Sequence, residues 1–355
     1  MRMVPKKQTR RKFMQSSAAA ALVPYGLTDC DSPSERQAKS DRPIVGCIGT
    51  GSRFSQLIGR IQKHASVAAV CDVDRKRGER ARSKLNGTAT WYEDYRRMLD
   101  RKDVEAVFIT TPDHWHAKPA MEAMLAGKDV YCEKPLSLTI DEGKRICQTV
   151  RETGAVFQVG TQQRSEAGLR FLTAAAIVRA GRLGKIRQAT CFLGPGLSGG
   201  PFSSRRTPSH LNWELWLGQA PWAEYVPERC HYTVRWWRDY SGGRVTDWGS
   251  HHVDAAMWAM DRQDAGPVAI QGTAEWPDVP GGYNTPLNFR VAAEFADGAE
   301  IILRHGPGNG VLFEGDQGRL FVNRGKLSGD AVQSLVEDPA PEAVWDTLCK
   351  GRLAD

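Results

Sequence analysis

Between residues 43 and 159 the chain alternates short apolar runs with segments of helical spacing, and that alternation narrows the folds open to it more than any other feature. Runs at 43–48, 66–73, 104–110, 129–132 and 155–159 have the length and flanking turns of buried strands, with helical patterns at 54–64, 74–85, 117–126 and 140–153. Strands and helices in this succession predict an α/β fold with a doubly wound parallel sheet. Ligands of such sheets lie beyond the carboxyl ends of the strands. Those ends carry Thr110-Thr111-Pro112-Asp113-His114-Trp115-His116, Glu133-Lys134-Pro135 and Gly160-Thr161-Gln162-Gln163-Arg164, three polar segments able to do chemistry.

The first strand leads directly into Gly49-Thr50-Gly51-Ser52-Arg53-Phe54. Two glycines permit a tight turn and a close approach of backbone N–H groups to a pyrophosphate at the positive end of the following helix. Phe54 stands where a third glycine is usual, so the turn alone does not establish a dinucleotide site. Asp72 strengthens it. This acid ends the second strand 21 residues after Gly51, near the spacing of a carboxylate that binds the adenosine ribose hydroxyls. Its charge repels a 2′-phosphate and favours NAD, with Arg75 and Lys76 near enough to leave NADP open.

Beyond Arg164 the pattern changes. A helix at 167–180 and a strand at 185–193 precede runs of period two at 289–295, 300–304, 310–313 and 319–322, with Asp297-Gly298 and Gln317-Gly318 as hairpin turns. A C-terminal α+β domain with an open, mainly antiparallel sheet is expected. The boundaries read as 42–163 for the nucleotide domain, 164–325 for the α+β domain and 326–355 for a short tail. Asp247 and His251 are four apart in a helical stretch at 246–260 and share a face, so the carboxylate is expected to favour an imidazolium and orient the ring for a proton relay. A buried His capped by Asp for structural reasons, or a metal set of Asp247, His251, His252 and Asp254, would use the same residues. No further ligand cluster has metal spacing, and no metal is expected. Seven of the eleven Trp residues fall between Trp213 and Trp258. Trp236 and Trp237, close before the Asp247 helix, are candidates to stack on a sugar ring, with Arg164 and His252 as further substrate contacts.

In order, the glycine turn, Thr111-Pro112 with His116, Glu133-Lys134-Pro135, and Gly242-Gly243 followed by Asp247-x-Gly249-x-His251 resemble the glucose-fructose oxidoreductase and inositol dehydrogenase family (Gfo/Idh/MocA). The resemblance runs from residue 43 to about 325. It implies an NAD(P)-dependent oxidoreductase moving hydride between a nicotinamide and a hydroxyl or carbonyl carbon of a sugar, polyol or glycoside. It also implies that Lys134 contacts both the nicotinamide and the reacting hydroxyl, with Asp247 and His251 completing the catalytic set. A positive nicotinamide nearby would lower the amine's pKa. Gly49, Gly51, Ser52, Arg53, Asp72, Thr111, Pro112, His116, Glu133, Lys134 and Gln162 would hold the cofactor, and the antiparallel sheet would form a homo-oligomer. Two rivals fit the same fold: a glycoside-cleaving enzyme acting by transient oxidation, whose members lack the signature lysine, and a catalytically silent sugar-binding homologue.

The net charge of +7 would suit a nucleic-acid partner. Six of the bases (Arg2, Lys6, Lys7, Arg10, Arg11, Lys12) lie in the first 27 residues, which hold no acid, so the rest of the chain is nearly neutral and no nucleic acid is expected. Thr9-Arg10-Arg11-Lys12-Phe13-Met14, followed by an Ala-rich stretch, resembles a twin-arginine export signal. Residues 1–41 are therefore expected to be signal and linker, and the mature protein periplasmic. Export of a folded protein implies a tightly bound cofactor. Cys30 follows Leu27-Thr28-Asp29, a poor lipoprotein box, and lipid anchoring is not expected. No apolar run reaches the roughly 18 residues of a membrane span. Cys47, Cys71 and Cys132 fall inside strands, where Cys acts as a small hydrophobe rather than a bridge. The chain ends at Asp355 soon after the second sheet, whereas similar exported members continue with a further helical segment.

Overall fold

The computed structural model describes residues 42–336 and 338–349; the expected signal, linker and Cys30 lie outside the described residues. Strands β1 Ile44–Ile48, β2 Ser66–Cys71, β3 Thr90–Tyr92, β4 Ala106–Ile109, β5 Asp129–Glu133 and β6 Phe157–Gly160 form one parallel sheet in the order β3-β2-β1-β4-β5-β6. The order reverses between β1 and β4, which opens a crevice at their carboxyl ends. Both faces are covered. On one, Phe54, Leu57, Ile58 and Ile61 of the helix Ser52–His64 pack with Val45, Cys47 and Val70. The other gathers Met98, Ile109, Ala120, Met124, Val130 and Ile146. Each of the Val, Leu, Ile, Phe and Met side chains contributes about 1.5–3 kcal/mol on burial. Phe54, in place of the third glycine, is 1% exposed and belongs to this core. The strand cysteines Cys47, Cys71 and Cys132 are buried and free, and burial pushes the Cys47 thiol up to about 12.

The second sheet contains β7 Ile186–Leu193, β8 Ala269–Glu275, β9 Asn288–Glu294, β10 Glu300–His305, β11 Gly310–Gly315, β12 Arg319–Val322 and β13 Leu327–Ser328. Its order is β13-β12-β11-β7-β10-β9-β8, antiparallel except between β7 and β10. The helices Arg170–Arg179 and Arg244–Ala259 pack on it, joining Ala175, Ile177, Ala256 and Trp258 to Cys191, Val311 and Phe313. Residues after 325, expected as a tail, instead add a strand to the sheet and the helix Glu342–Cys349 to the core, where Leu348 and Cys349 are buried. Strand β8 gave no signal in the sequence because every residue along it is exposed, so nothing imposes an apolar alternation. No helix among the described residues is long and apolar enough to cross a membrane.

Residues 194–243, between β7 and the helix Arg244–Ala259, fold back over the nucleotide domain. Asn212 N donates to Val73 O at 2.9 Å and Arg75 N donates to His210 O at 2.8 Å. The excursion has an aromatic core, with Trp216, Trp236, Trp237 and Tyr240 joined by Tyr283 from farther along the chain. It therefore closes the third side of the crevice.

Candidate active site

The crevice is a cavity of about 500 Å³ walled by both domains and the excursion. Gly49 turns into it at φ +82°, and a Cβ there would sit 2.7 Å from Thr111 N, so the position admits only glycine. Asp72 Oδ2 accepts from Thr50 N and Thr50 Oγ1, both at 2.8 Å, and its Oδ1 accepts from Asp74 N at 2.9 Å. The acid thus braces the glycine turn and still lines the cavity, along with Gly49, Gly51, Ser52 and Arg53. The helix Ser52–His64 starts without a side-chain cap and without an acid in its first turn. Its first N–H groups and positive end would therefore suit an anion in the cavity. These residues fit a dinucleotide.

Glu133, Arg53 and Gln162 act as one network. Glu133 Oε1 accepts from Arg53 Nε at 2.8 Å, Tyr131 OH at 2.9 Å and Gln162 Nε2 at 2.6 Å. His116 is buried with Nδ1 2.6 Å from Pro135 O and Nε2 3.0 Å from Thr111 O. The ring sits between two carbonyl acceptors, one on the Thr111-Pro112 turn and one on the cis Lys134-Pro135 turn, so His116 shapes the cavity wall. A capping box of Thr139 and Glu142 starts the helix Ile140–Thr153 just after that turn.

Lys134 reaches from the end of β5 across to the second domain. Its Nζ donates to Asp247 Oδ1 at 2.7 Å and to Asp247 O at 3.0 Å. Gly243, at φ +62°, sets the start of the Asp247 helix; a Cβ there would lie 2.6 Å from Thr285 Oγ1. Arg235 Nη1 donates to the other oxygen, Asp247 Oδ2, at 2.6 Å. Burial alone would raise the Asp247 carboxyl, but Lys134 and Arg235 outweigh it and hold the group below the usual carboxylate range.

The expected imidazolium at His251 is not found. Burial, then the charges of Lys134 and Arg324, depress its pKa to about 2, which outweighs Asp247. Asp247 is spent on the two cations, and His251 Nδ1 has no hydrogen-bond partner among the described residues. A neutral imidazole with a buried, unpartnered Nδ1 therefore lines the same cavity as Lys134.

Four expected substrate contacts lie elsewhere. His252 is fully buried, with Nε2 3.1 Å from Asn309 Oδ1 and Nδ1 3.2 Å from Gln163 Nε2, a pairing that the neutral Nε2–H tautomer satisfies. Arg164 is turned away to Asp254, with Nε 2.8 Å from Oδ2, and lies over the Trp258 ring. Trp236 and Trp237 are 6% and 3% exposed in the core of the excursion, because the loop needs its largest apolar side chains to hold itself together. Residues of the excursion that do face the cavity include Trp216, Tyr232, Val234 and Arg235, with Trp248 added by the helix that follows. Trp248 could have been found from the helical spacing around Asp247. Arg324, which follows β12 in a turn, carries no sequence signal at all.

Comparison with known proteins agrees with this geometry. Residues 44–161 match the family described as "Oxidoreductase family, NAD-binding Rossmann fold" (GFO_IDH_MocA), and residues 199–350 match its "C-terminal alpha/beta domain". The chain is 33% identical over 145 residues to inositol 2-dehydrogenase of Salmonella typhimurium, a stretch that takes in 40% of this chain and 43% of that protein. It is 31% identical over 290 residues to 2,7-anhydro-N-acetylneuraminate hydratase of Mediterraneibacter gnavus, covering 78% of this chain and 66% of the relative. Its fold resembles that of the WlbA dehydrogenase from Bordetella pertussis in complex with NADH and UDP-GlcNAcA. The TM-score is 0.62 at 21% identity, over 81% of this chain and 80% of that one.

Proposed function

The chain belongs to the Gfo/Idh/MocA oxidoreductase family, and from that premise we propose that it moves hydride between a nicotinamide cofactor and a hydroxyl or carbonyl carbon of a sugar, polyol or glycoside. The observation that carries this reading is the convergence of the Lys134 amine and the His251 imidazole on one cavity that also contains the glycine turn. Gly49, Gly51, Ser52 and the helix that follows would hold the pyrophosphate, and Asp72 the ribose hydroxyls, which favours NAD. When bound, the nicotinamide supplies the hydride acceptor or donor. Lys134, anchored by Asp247, would donate a hydrogen bond to the reacting oxygen, and the neutral His251 imidazole would accept the hydroxyl proton. Thr111, Pro112, His116, Glu133 and Gln162 fix the wall behind them.

The leader at 1–41 supports export by the twin-arginine route, a periplasmic location and a cofactor carried tightly with the folded protein. Strand β8, exposed along its whole length at the edge of the second sheet, supports a homo-oligomer. A panel of sugars and polyols offered to the NAD-loaded protein, read by NADH formation, tests the activity. Protein that binds neither NAD nor NADP at millimolar concentration overturns it. A second reading is favoured by the relative named as a hydratase, which spans 78% of this chain. In it the oxidation is transient, and product would form from a glycoside or anhydro-sugar with no net NADH.

A further inference from the structure

The excursion at 194–243 is bonded to the nucleotide domain at two places. Beyond β2, Asn212 N donates to Val73 O and Arg75 N to His210 O. Two imidazoles of the excursion meet Asp74 there, His231 Nε2 at 3.2 Å from Oδ2 and His210 Nε2 at 3.9 Å from Oδ1. Beyond β4, Ser241 Oγ donates to Asp113 Oδ2 at 2.5 Å, and Trp115 Nε1 donates to Trp216 O at 2.8 Å. In the sheet β1 lies between β2 and β4, so the two anchors straddle the glycine turn that leaves β1. The second anchor is closed to water, with Ser241 1% and Trp216 3% exposed, whereas the side chain of His231 is 29% exposed.

His231 also lines the cavity, and its contact with Asp74 places it at the Asp72-Val73 end, which the adenosine would occupy. It adopts φ +57°, in the left-handed region that residues with a Cβ rarely enter, and such strain persists only where the surroundings fix it. Asp74 is 4% exposed, and its Oδ1 caps the helix Arg75–Lys84 by accepting from Lys76 N at 3.0 Å, which leaves Oδ2 for His231. A carboxylate accepts, so His231 Nε2 carries the proton. Resting on the oxidoreductase reading above, we propose that the segment 227–236 is a strap over the adenosine half of the cofactor, and that the His231–Asp74 pair is the catch that must open before a dinucleotide enters or leaves. Both partners in the catch belong to the protein, so it holds the strap shut whether or not a cofactor is bound. It therefore slows exchange in both directions, as a gate does, whereas a plain contact to the cofactor would slow release alone. The buried anchor at Asp113 stays closed while the more exposed one lets go.

The test follows NADH fluorescence on the full chain by stopped flow, with entry measured on mixing and release measured by displacement with excess ADP-ribose. His231→Gly removes the ring and suits the backbone at φ +57°. It should speed release roughly ten- to a hundredfold, as for the loss of a hydrogen bond to a charged group, and should speed entry as well. Kd for NADH should accordingly change much less than either rate. Asp74→Asn keeps a residue able to cap the helix but removes the charge, so it should act in the same direction by a smaller factor, and it decides the matter by itself if the first variant does not fold. Unchanged release and entry overturn the proposal. Faster release with unchanged entry overturns it too, because His231 would then be a contact to the bound cofactor and not a catch. Failure of the wild-type protein to bind NADH overturns the oxidoreductase reading itself and is seen before any variant is compared.

Discussion

Lys134 Nζ lies 2.7 Å from Asp247 Oδ1, although 113 residues separate the two in sequence. That one contact joins the end of a strand in the nucleotide domain to the first turn of a helix in the second domain, and it carries the first prediction. Lys134→Ala should lower kcat by about 10²–10⁴-fold, the usual worth of a positioned acid-base group. NADH affinity should change much less, because the glycine turn and Asp72 are untouched. Arg235 still neutralises Asp247, so the variant should fold. Stopped-flow turnover together with NADH titration separates the two effects, and a variant that keeps full kcat excludes Lys134 from the chemistry.

Asp72 should set the cofactor. Asp72→Asn keeps the shape and much of the hydrogen bonding to Thr50 but removes the charge that repels a 2′-phosphate. The NADP to NAD affinity ratio should rise about tenfold, equivalent to about 1.4 kcal/mol. Titration of both cofactors against wild type and variant checks this, and an unchanged ratio refutes the assignment.

Acid should unfold the protein through its buried histidines. Burial is the leading cause that depresses His114 to about 4, His251 to about 2 and His252 to about 4. Each ring is neutral in the folded state and takes a proton near pH 6.5 when unfolded. The unfolded state therefore binds more protons below that pH, so the stability is fully present above about 6.5 and falls as the solution is acidified. At pH 5 the loss should be about 2 kcal/mol per ring. His114→Phe should make the fall shallower at modest cost at pH 7, because Trp216 O keeps its donor from Trp115 Nε1 at 2.8 Å. Denaturant midpoints at pH 7 and pH 5 give the answer; equal slopes in the two proteins contradict it.

Arg164 should matter to stability and not to substrate. Arg164→Gln breaks the pair with Asp254 and the contact with Trp258, and should cost about 1–3 kcal/mol. KM for the sugar and Kd for NADH should stay within error. A raised KM with unchanged stability would return Arg164 to the cleft.

Much of this site was legible before any coordinates. The glycine turn, Asp72 and the Glu133-Lys134-Pro135 segment could be placed because strand ends in a parallel sheet have a fixed relation to the crevice, and period-2 and period-3.6 patterns mark those ends. The substrate wall could not be placed in that way. Trp236 and Trp237 look from sequence like exposed stacking platforms, yet the excursion at 194–243 has to make a core for itself and uses them inside it. Trp248 and Arg235, less conspicuous in the chain, take the open positions.

The order of apolar runs, the turn glycines and the spacing of Asp247 and His251 determined the two-domain fold and the residues that could carry chemistry, because they depend on local backbone periodicity and on φ values that only glycine adopts readily. Tertiary structure alone decided how those residues are charged and paired. Asp247 and His251 share a helix face, but the carboxylate is claimed by Lys134 and Arg235 from other parts of the chain, and burial then keeps the imidazole neutral. Long-range packing sets both the distance between charges and their removal from water, and neither quantity is written in the spacing of residues along a helix.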